Sequence, residues 1–128
     1  MMNLLVSKIT DSELEIMRIL WAAGDALPIA AIRQTLEKTS VWESSTIKTL
    51  LRRLCEKGVV SFIKKDVFYY STKVTENEYN EYTTQVLINR LYRGSAKNLV
   101  ASLVSENKLD KNDIEELRSM FKVSEKDE

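Results

Sequence analysis

Six hydrogen-bond-donating side chains gather in one short stretch of this sequence: Ser45, Thr46, Lys48, Thr49, Arg52 and Arg53. At about 100° per residue, Ser45, Lys48, Thr49 and Arg52 fall on one side of a helix, with Thr46 and Arg53 flanking it. On the other side Ile47, Leu50, Leu51 and Leu54 recur at i, i+3, i+4 and i+7, an unbroken apolar stripe. No carboxylate interrupts the polar side before Glu56, and Lys64 and Lys65 follow shortly after. Between residues 44 and 65 six basic residues stand against one acidic residue. Arg and Lys suit guanine O6 and N7, while Ser and Thr donate to bases or phosphates. A polyanion is the partner this chemistry fits, and a merely solvated helix face is the plain alternative.

The rest of the composition narrows the field. The chain has 128 residues with no histidine and a single cysteine, Cys55. The commonest general base and the commonest metal ligand are thus missing together, and no intrachain disulfide or thiolate metal cluster can form. Glu115-Glu116 on an amphipathic stretch read as solvated surface, so no catalytic residues, no cofactor and no metal are expected. The longest apolar runs are a few residues, far from the roughly 20 that span a bilayer. Residues 1–8 lack a basic start followed by an apolar run, so no secretory signal is expected. These points describe a cytoplasmic binding protein without membrane insertion, not an enzyme. Net charge is zero, but residues 1–73 carry 11 Lys/Arg and 8 Asp/Glu, and residues 74–128 carry 8 and 11. The positive balance belongs to the half that holds the donor face.

The elements that must position that face can be read around it. Thr10-Asp11-Ser12-Glu13 is a capping box opening a first helix, with Leu14, Met17, Leu20 and Trp21 inward and Gly24-Asp25 ending it. Pro28 suits the first turn of a second helix, whose inner side is Ile29, Ile32 and Leu36. A polar connection through Thr39-Ser40 leads to the third helix, which Gly58 stops. Val59–Ile63 and Val67–Thr72 are rich in strand formers, and Lys64-Lys65-Asp66 between them predicts a hairpin with a basic tip. Three helices and a hairpin, the third helix polar and basic, is the order of a winged helix-turn-helix. Beyond Val74 the pattern is helical again, with capping boxes at Thr75 and Asp110 and Ser95 capping a short helix. Short helices cannot enclose their own apolar faces, so pairing with a second copy is expected. The expected fold is therefore mainly α with a small β-hairpin: a winged-helix DNA-binding domain over residues 1–73, then a helical dimerisation domain over residues 74–128. Tyr82, Val86, Leu91, Leu99, Val100, Leu103, Val104, Ile114, Leu117 and Phe121 are its expected contact residues.

Particular strings make the pattern more specific. Ile9-Thr10-Asp11-Ser12-Glu13-Leu14-Glu15-Ile16-Met17 with Ile19-Leu20-Trp21, then Trp42, and Thr46-Ile47-Lys48-Thr49-Leu50-Leu51 with Arg53-Leu54 resemble the penicillinase-repressor family of bacterial regulators, the BlaI/MecI group with its copper-responsive CopY branch. Lys57-Gly58-Val59-Val60, Tyr69-Tyr70-Ser71, Leu99-Val100 and Asp113-Ile114-Glu115-Glu116-Leu117 extend the likeness over almost the whole chain. Leu14 stands where the family usually has tryptophan. The copper branch carries paired Cys-x-Cys motifs near its C-terminus, which this chain lacks, and Cys55 reads as a core-edge residue. The resemblance therefore implies a homodimeric transcriptional repressor of the β-lactam-responsive side, bound to palindromic operator DNA. A copper-responsive repressor and a winged-helix protein-interaction module without DNA binding are the alternatives. It further implies a membrane sensor protease as partner: the family's Asn-Phe cleavage bond falls at Ser102-Leu103, with both residues changed, and simple core is the other reading of Leu103.

Overall fold

The computed structural model describes residues 8–38 and 42–126, and the Thr39-Ser40 connection lies outside them. The chain forms two compact units, Met1–Thr84 and Gln85–Glu128. The division between the two units falls inside a helix. The cause is visible in the first unit: Trp21 Nε1 donates to the Val74 carbonyl at 2.9 Å, and its ring packs on Tyr79 with centroids 5.6 Å apart. The chain just beyond the sheet is thereby fastened to the first helix.

In the first unit α1 (Asp11–Ala23), β1 (Leu27–Pro28), α2 (Ile29–Leu36) and α3 (Ser44–Glu56) precede the hairpin strands β2 (Val60–Lys64) and β3 (Phe68–Thr72). Helix α4 (Glu76–Tyr92) begins in this unit. The fold is mainly helical with a small antiparallel sheet, as expected, but the sheet has three strands in the order β1-β3-β2. Two residues were too short a run to signal β1. Leu27 pairs with Tyr70 and Pro28 with Tyr69. Pro28 is thus extended (φ −77°, ψ 161°) and caps α2 instead of sitting in its first turn. Proline is tolerated there because β1 is an edge strand.

The core joins Ile16, Met17 and Leu20 of α1, Ile32 and Leu36 of α2, the α3 stripe of Ile47, Leu50, Leu51 and Leu54, and Val59-Val60. Leu14, expected inward, is only half-buried, whereas Ile16 on the other flank of the inward arc is fully buried. Gly24 at φ 70° closes α1, and Gly58 at φ 78° lets the chain turn from α3 into β2. At that turn Val59 donates to the Leu54 carbonyl and accepts from Lys73 N–H, which closes the base of the hairpin.

One charged group lies inside this core. Glu13 is fully buried, and its carboxylate accepts from Lys57 Nζ at 2.6 and 2.9 Å and from Thr10 N–H at 2.9 Å. Lys57 Nζ also donates to the Lys8 carbonyl at 2.9 Å. The capping box of α1 is therefore bolted to the C-terminal end of α3.

The second unit contains the rest of α4, α5 (Ala96–Ser105) and α6 (Lys111–Lys126). Ser95 Oγ accepts from Asn98 N–H at the start of α5, and Asp110 and Asp113 cap α6 reciprocally. Ile88 is buried, whereas Leu91 (63% exposed), Val100, Val104, Leu117, Met120 and Phe121 (66% exposed) stand open. Val86, Leu99, Leu103 and Ile114 are half-buried.

Burial by itself raises the Glu13 carboxyl, but the hydrogen bonds from Lys57 and Thr10 outweigh it and hold the group below the usual carboxylate range. A lowered folded value means the pair's stabilisation is complete above the ordinary pKa of about 4.3 and is lost as pH falls through the folded value. Glu13→Gln should therefore destabilise the first unit by about 2–3 kcal/mol at neutral pH. The difference from wild type should shrink below about pH 4. Urea unfolding across that pH range is the measurement.

Candidate nucleic-acid interface

Helix α3 is held at three points, and each leaves its polar side outward. Its apolar stripe is sunk in the core. At its N-terminal end Arg33 of α2 donates from Nη1 to Ser44 Oγ at 3.0 Å, and Arg33 Nε pairs with Glu37 at 3.1 Å. At its C-terminal end stands the Lys57–Glu13 pair. Glu43 takes the N-cap position without a side-chain hydrogen bond to the first turn. The first-turn N–H groups of α3 therefore keep the partial positive charge that favours an anion.

On the outward side Ser45, Thr46, Lys48, Arg52 and Arg53 are exposed, and Thr49 is half-buried with its hydroxyl donating to the Ser45 carbonyl at 3.0 Å. Two grooves flank the ridge. Ser45, Thr46, Thr49, Leu50 and Arg53 line one of 320 Å³. Lys48, Arg52, Cys55 and Glu56 line the other, of 380 Å³, whose far wall is Phe62 and Tyr70 of the hairpin. The six donors thus form one surface with two edges. Arg52 Nη1 meets Glu56 Oε1 at 3.0 Å, an i,i+4 pair with both side chains mostly in solvent. Such a pair contributes little and leaves the guanidinium available.

The two hairpin lysines are separated by the strand alternation. Lys64 belongs to β2 opposite Phe68, and its Nζ lies 5.7 Å from that ring, on the face of Phe62 and Tyr70. Lys65 lies 5.7 Å from the ring of Tyr69, which pairs with Ile63 and points to the other face. The nearby Asp66 charge, with some burial and a hydrogen bond, raises the Tyr69 phenol above its ordinary value. Lys65 thus shares its end of the hairpin with a carboxylate.

Lys57 counts in the basic cluster of the sequence but is spent internally on Glu13. Forty-four positions separate that pair, and no local pattern could reveal it. Arg52–Glu56, by contrast, follows from their four-residue spacing. The sequence reading also passed over Arg33, which fastens α2 to α3, and the ring cluster of Phe62, Phe68 and Tyr70. Burial and then the Glu56 charge push the Cys55 thiol up. Among the described residues no group of three or more His, Cys, Asp and Glu could hold a metal, and no helix is long and apolar enough to cross a membrane.

A tri-helical core presenting a cationic, hydroxyl-bearing third helix beside a β-hairpin is the winged-helix class of DNA-binding proteins. Residues 9–122 match the penicillinase repressor family model, and the chain belongs to that family of DNA-binding transcriptional repressors, which are not enzymes. The penicillinase repressor of Bacillus licheniformis is 33% identical over 113 residues, 88% of each chain. The methicillin resistance regulatory protein MecI of Staphylococcus aureus is 33% identical over 116 residues, 89% of this chain and 93% of that one. The solution structure of the DNA-binding domain of the repressor BlaI aligns with a TM-score of 0.52 at 34% identity, covering 62% of this chain and 94% of that one.

The difference between outward and inward lysines can be measured. Lys48→Ala should weaken DNA binding and reduce the slope of log affinity against log salt by about one. Lys57→Met should leave that slope unchanged while lowering the melting temperature. Fluorescence anisotropy titrations at several salt concentrations, paired with thermal melts, test both.

Proposed function

We propose that this chain is a cytoplasmic homodimer that binds a palindromic operator and represses β-lactam resistance genes. The observation that carries the DNA contact is the exposed α3 face, six donors on a helix anchored at both ends and sunk along its apolar stripe. Ser45, Thr46, Lys48, Thr49, Arg52 and Arg53 enter the major groove in this reading, and Lys64 and Lys65 grip the backbone beside it. Resistance control is supported by the relatives, whose names are penicillinase repressor and methicillin resistance regulatory protein.

A second copy of the chain is the occupant that the second unit calls for. Leu91, Val100, Val104, Leu117 and Phe121 leave apolar area exposed that a lone chain would keep in water. Tyr82 is partly buried against the core of the first unit. Two third helices in successive major grooves imply half-sites about 10 bp apart, or a multiple of that. Dimerisation also doubles the phosphate contacts available to a chain of zero net charge. A fragment ending at Thr84 keeps the Trp21 contacts to Val74 and Tyr79, so it should fold, run as a monomer in light scattering, and bind the operator at least tenfold more weakly than the full chain, on the order of one 1.4 kcal/mol step. A dimeric fragment, or one with undiminished affinity, contradicts the assignment.

Release fits the same unit. A sensor protease cutting at Ser102-Leu103 would divide α5, whose Val100 and Val104 are among the uncovered side chains. Each apolar side chain lost from a dimer core would forfeit roughly 1.5–3 kcal/mol if fully buried there. The Ser102 carbonyl accepts from Glu106 N–H and Ser105 Oγ, so the helix must open before the bond is reached. Mass spectrometry of protein recovered from β-lactam-treated cells should find a fragment beginning at Leu103. An intact chain in derepressed cells would reject proteolytic release.

A further inference from the structure

The hairpin carries a feature that its lysines do not explain. Phe62, Phe68 and Tyr70 stack on one face, with Phe62–Phe68 centroids 5.2 Å apart edge to face and Phe62–Tyr70 at 6.0 Å. Phe62 is 53% and Phe68 40% exposed, although both sit in a strand pair whose root, Val60, is buried. Phe62 and Tyr70 form the far wall of the 380 Å³ groove whose near wall is Lys48 and Arg52 of α3, and Phe68 backs Phe62 from outside it. Lys64 lies over the Phe68 ring, on the same face of the hairpin as Phe62.

A groove with cations on one wall and rings on the other is two-faced in its chemistry. A nucleic-acid strand is two-faced in the same way, because anionic phosphates alternate with the apolar edges of deoxyribose. When a helix lies in the major groove, the hairpin next to it meets the strand that bounds that groove. A protein partner would not need a line of cations along the wall that already faces DNA. The one carboxylate in the groove, Glu56, is tied to Arg52.

We propose that the groove between α3 and the hairpin seats one sugar–phosphate strand of the bound duplex, with phosphates on Lys48 and Arg52 and deoxyribose edges against Phe62 and Tyr70. The inference rests on α3 being the DNA-contacting helix and adds to it an uncharged, ring-based contact from the hairpin. Such a contact buries apolar surface without releasing counterions, so its signature is affinity that does not depend on salt.

The probe is a duplex selected by the wild-type chain from a randomised window of about 30 bp, enough for two half-sites. Phe62→Ala should weaken binding about fivefold at every salt concentration with the salt slope unchanged, and Phe62→Leu should recover most of the loss. Ile63→Ala is the control: Ile63 is 63% exposed on the opposite face of the same strand, and its removal should leave affinity unaltered. Thermal melts of the three variants register any general loosening of the hairpin. Wild-type affinity in Phe62→Ala, with Lys48→Ala weakened, overturns the ring contact and leaves the α3 reading standing. If Lys48→Ala is also unaffected, the α3 reading fails and takes this inference with it. Equal losses in Phe62→Ala and Ile63→Ala overturn it as well, because they mean a softened hairpin and not a face. Unchanged DNA binding with a lower mass by light scattering gives the rings to a second copy of the chain and likewise overturns it.

Discussion

The burial of one side of α3 is the constraint on which this surface depends. Ile47, Leu50, Leu51 and Leu54 meet Ile16, Met17 and Leu20 from one side and Ile32 and Leu36 from another. Each such side chain contributes roughly 1.5–3 kcal/mol when fully buried, so rotating the helix about its axis would cost far more than any single polar contact returns. With the rotation fixed, Ser45, Lys48, Thr49 and Arg52 have no choice but to face solvent. The stripe does not fix the position of α3 along its own length, however. Arg33 at Ser44 and Glu13 at Lys57 supply that restraint, one near each end.

The Glu13–Lys57 pair illustrates how a buried charge can serve geometry. Replacing both partners of a buried ion pair by apolar groups is often neutral in proteins, but removing one leaves the other stranded. Here the carboxylate is used twice, since Thr10 N–H and Lys57 both donate to it. The start of α1 and the end of α3 are therefore registered on one carboxylate. In the proposed DNA contact, α3 gains from that registry, because small displacements of its axis move every donor together.

Charge on this protein is distributed for a purpose that the zero net value hides. Lysine and arginine lie along α3 and the β2 end of the hairpin, whereas the compensating carboxylates dominate the second half of the chain. The local field at α3 remains positive within a Debye length of about 8 Å at physiological salt, while the chain as a whole avoids strong attraction to every polyanion. Under the proposed dimer and ring contact, affinity gains from doubling the surface and from contacts that are not ionic. The uncovered apolar side chains of the second unit and the exposed rings of the hairpin lie at the places where those two contributions would arise.

Much of this was legible in the residues themselves. The i, i+3, i+4, i+7 stripe gave the orientation of α3, Thr10 with Glu13 gave the start of α1, and Gly24 and Gly58 gave two chain reversals, because each of these depends on neighbours within one turn. Leu14 and Ile16 flank the arc of Met17 and Leu20 on opposite sides, about 160° apart, and the packing of α2 and α3 decides which flank is buried. Two residues of β1 carry no period, so Pro28 looked like a helix start until Tyr69 and Tyr70 were seen beside it. The fate of Lys57 was equally hidden: its charge reads the same in sequence whether it faces a phosphate or a carboxylate 44 positions away. The sequence determined the helices and their polar faces because those follow from short-range periodicity. Tertiary structure decided which cations remain free, which strand joins the sheet and which rings stay in water, because each is settled by what distant segments bring alongside.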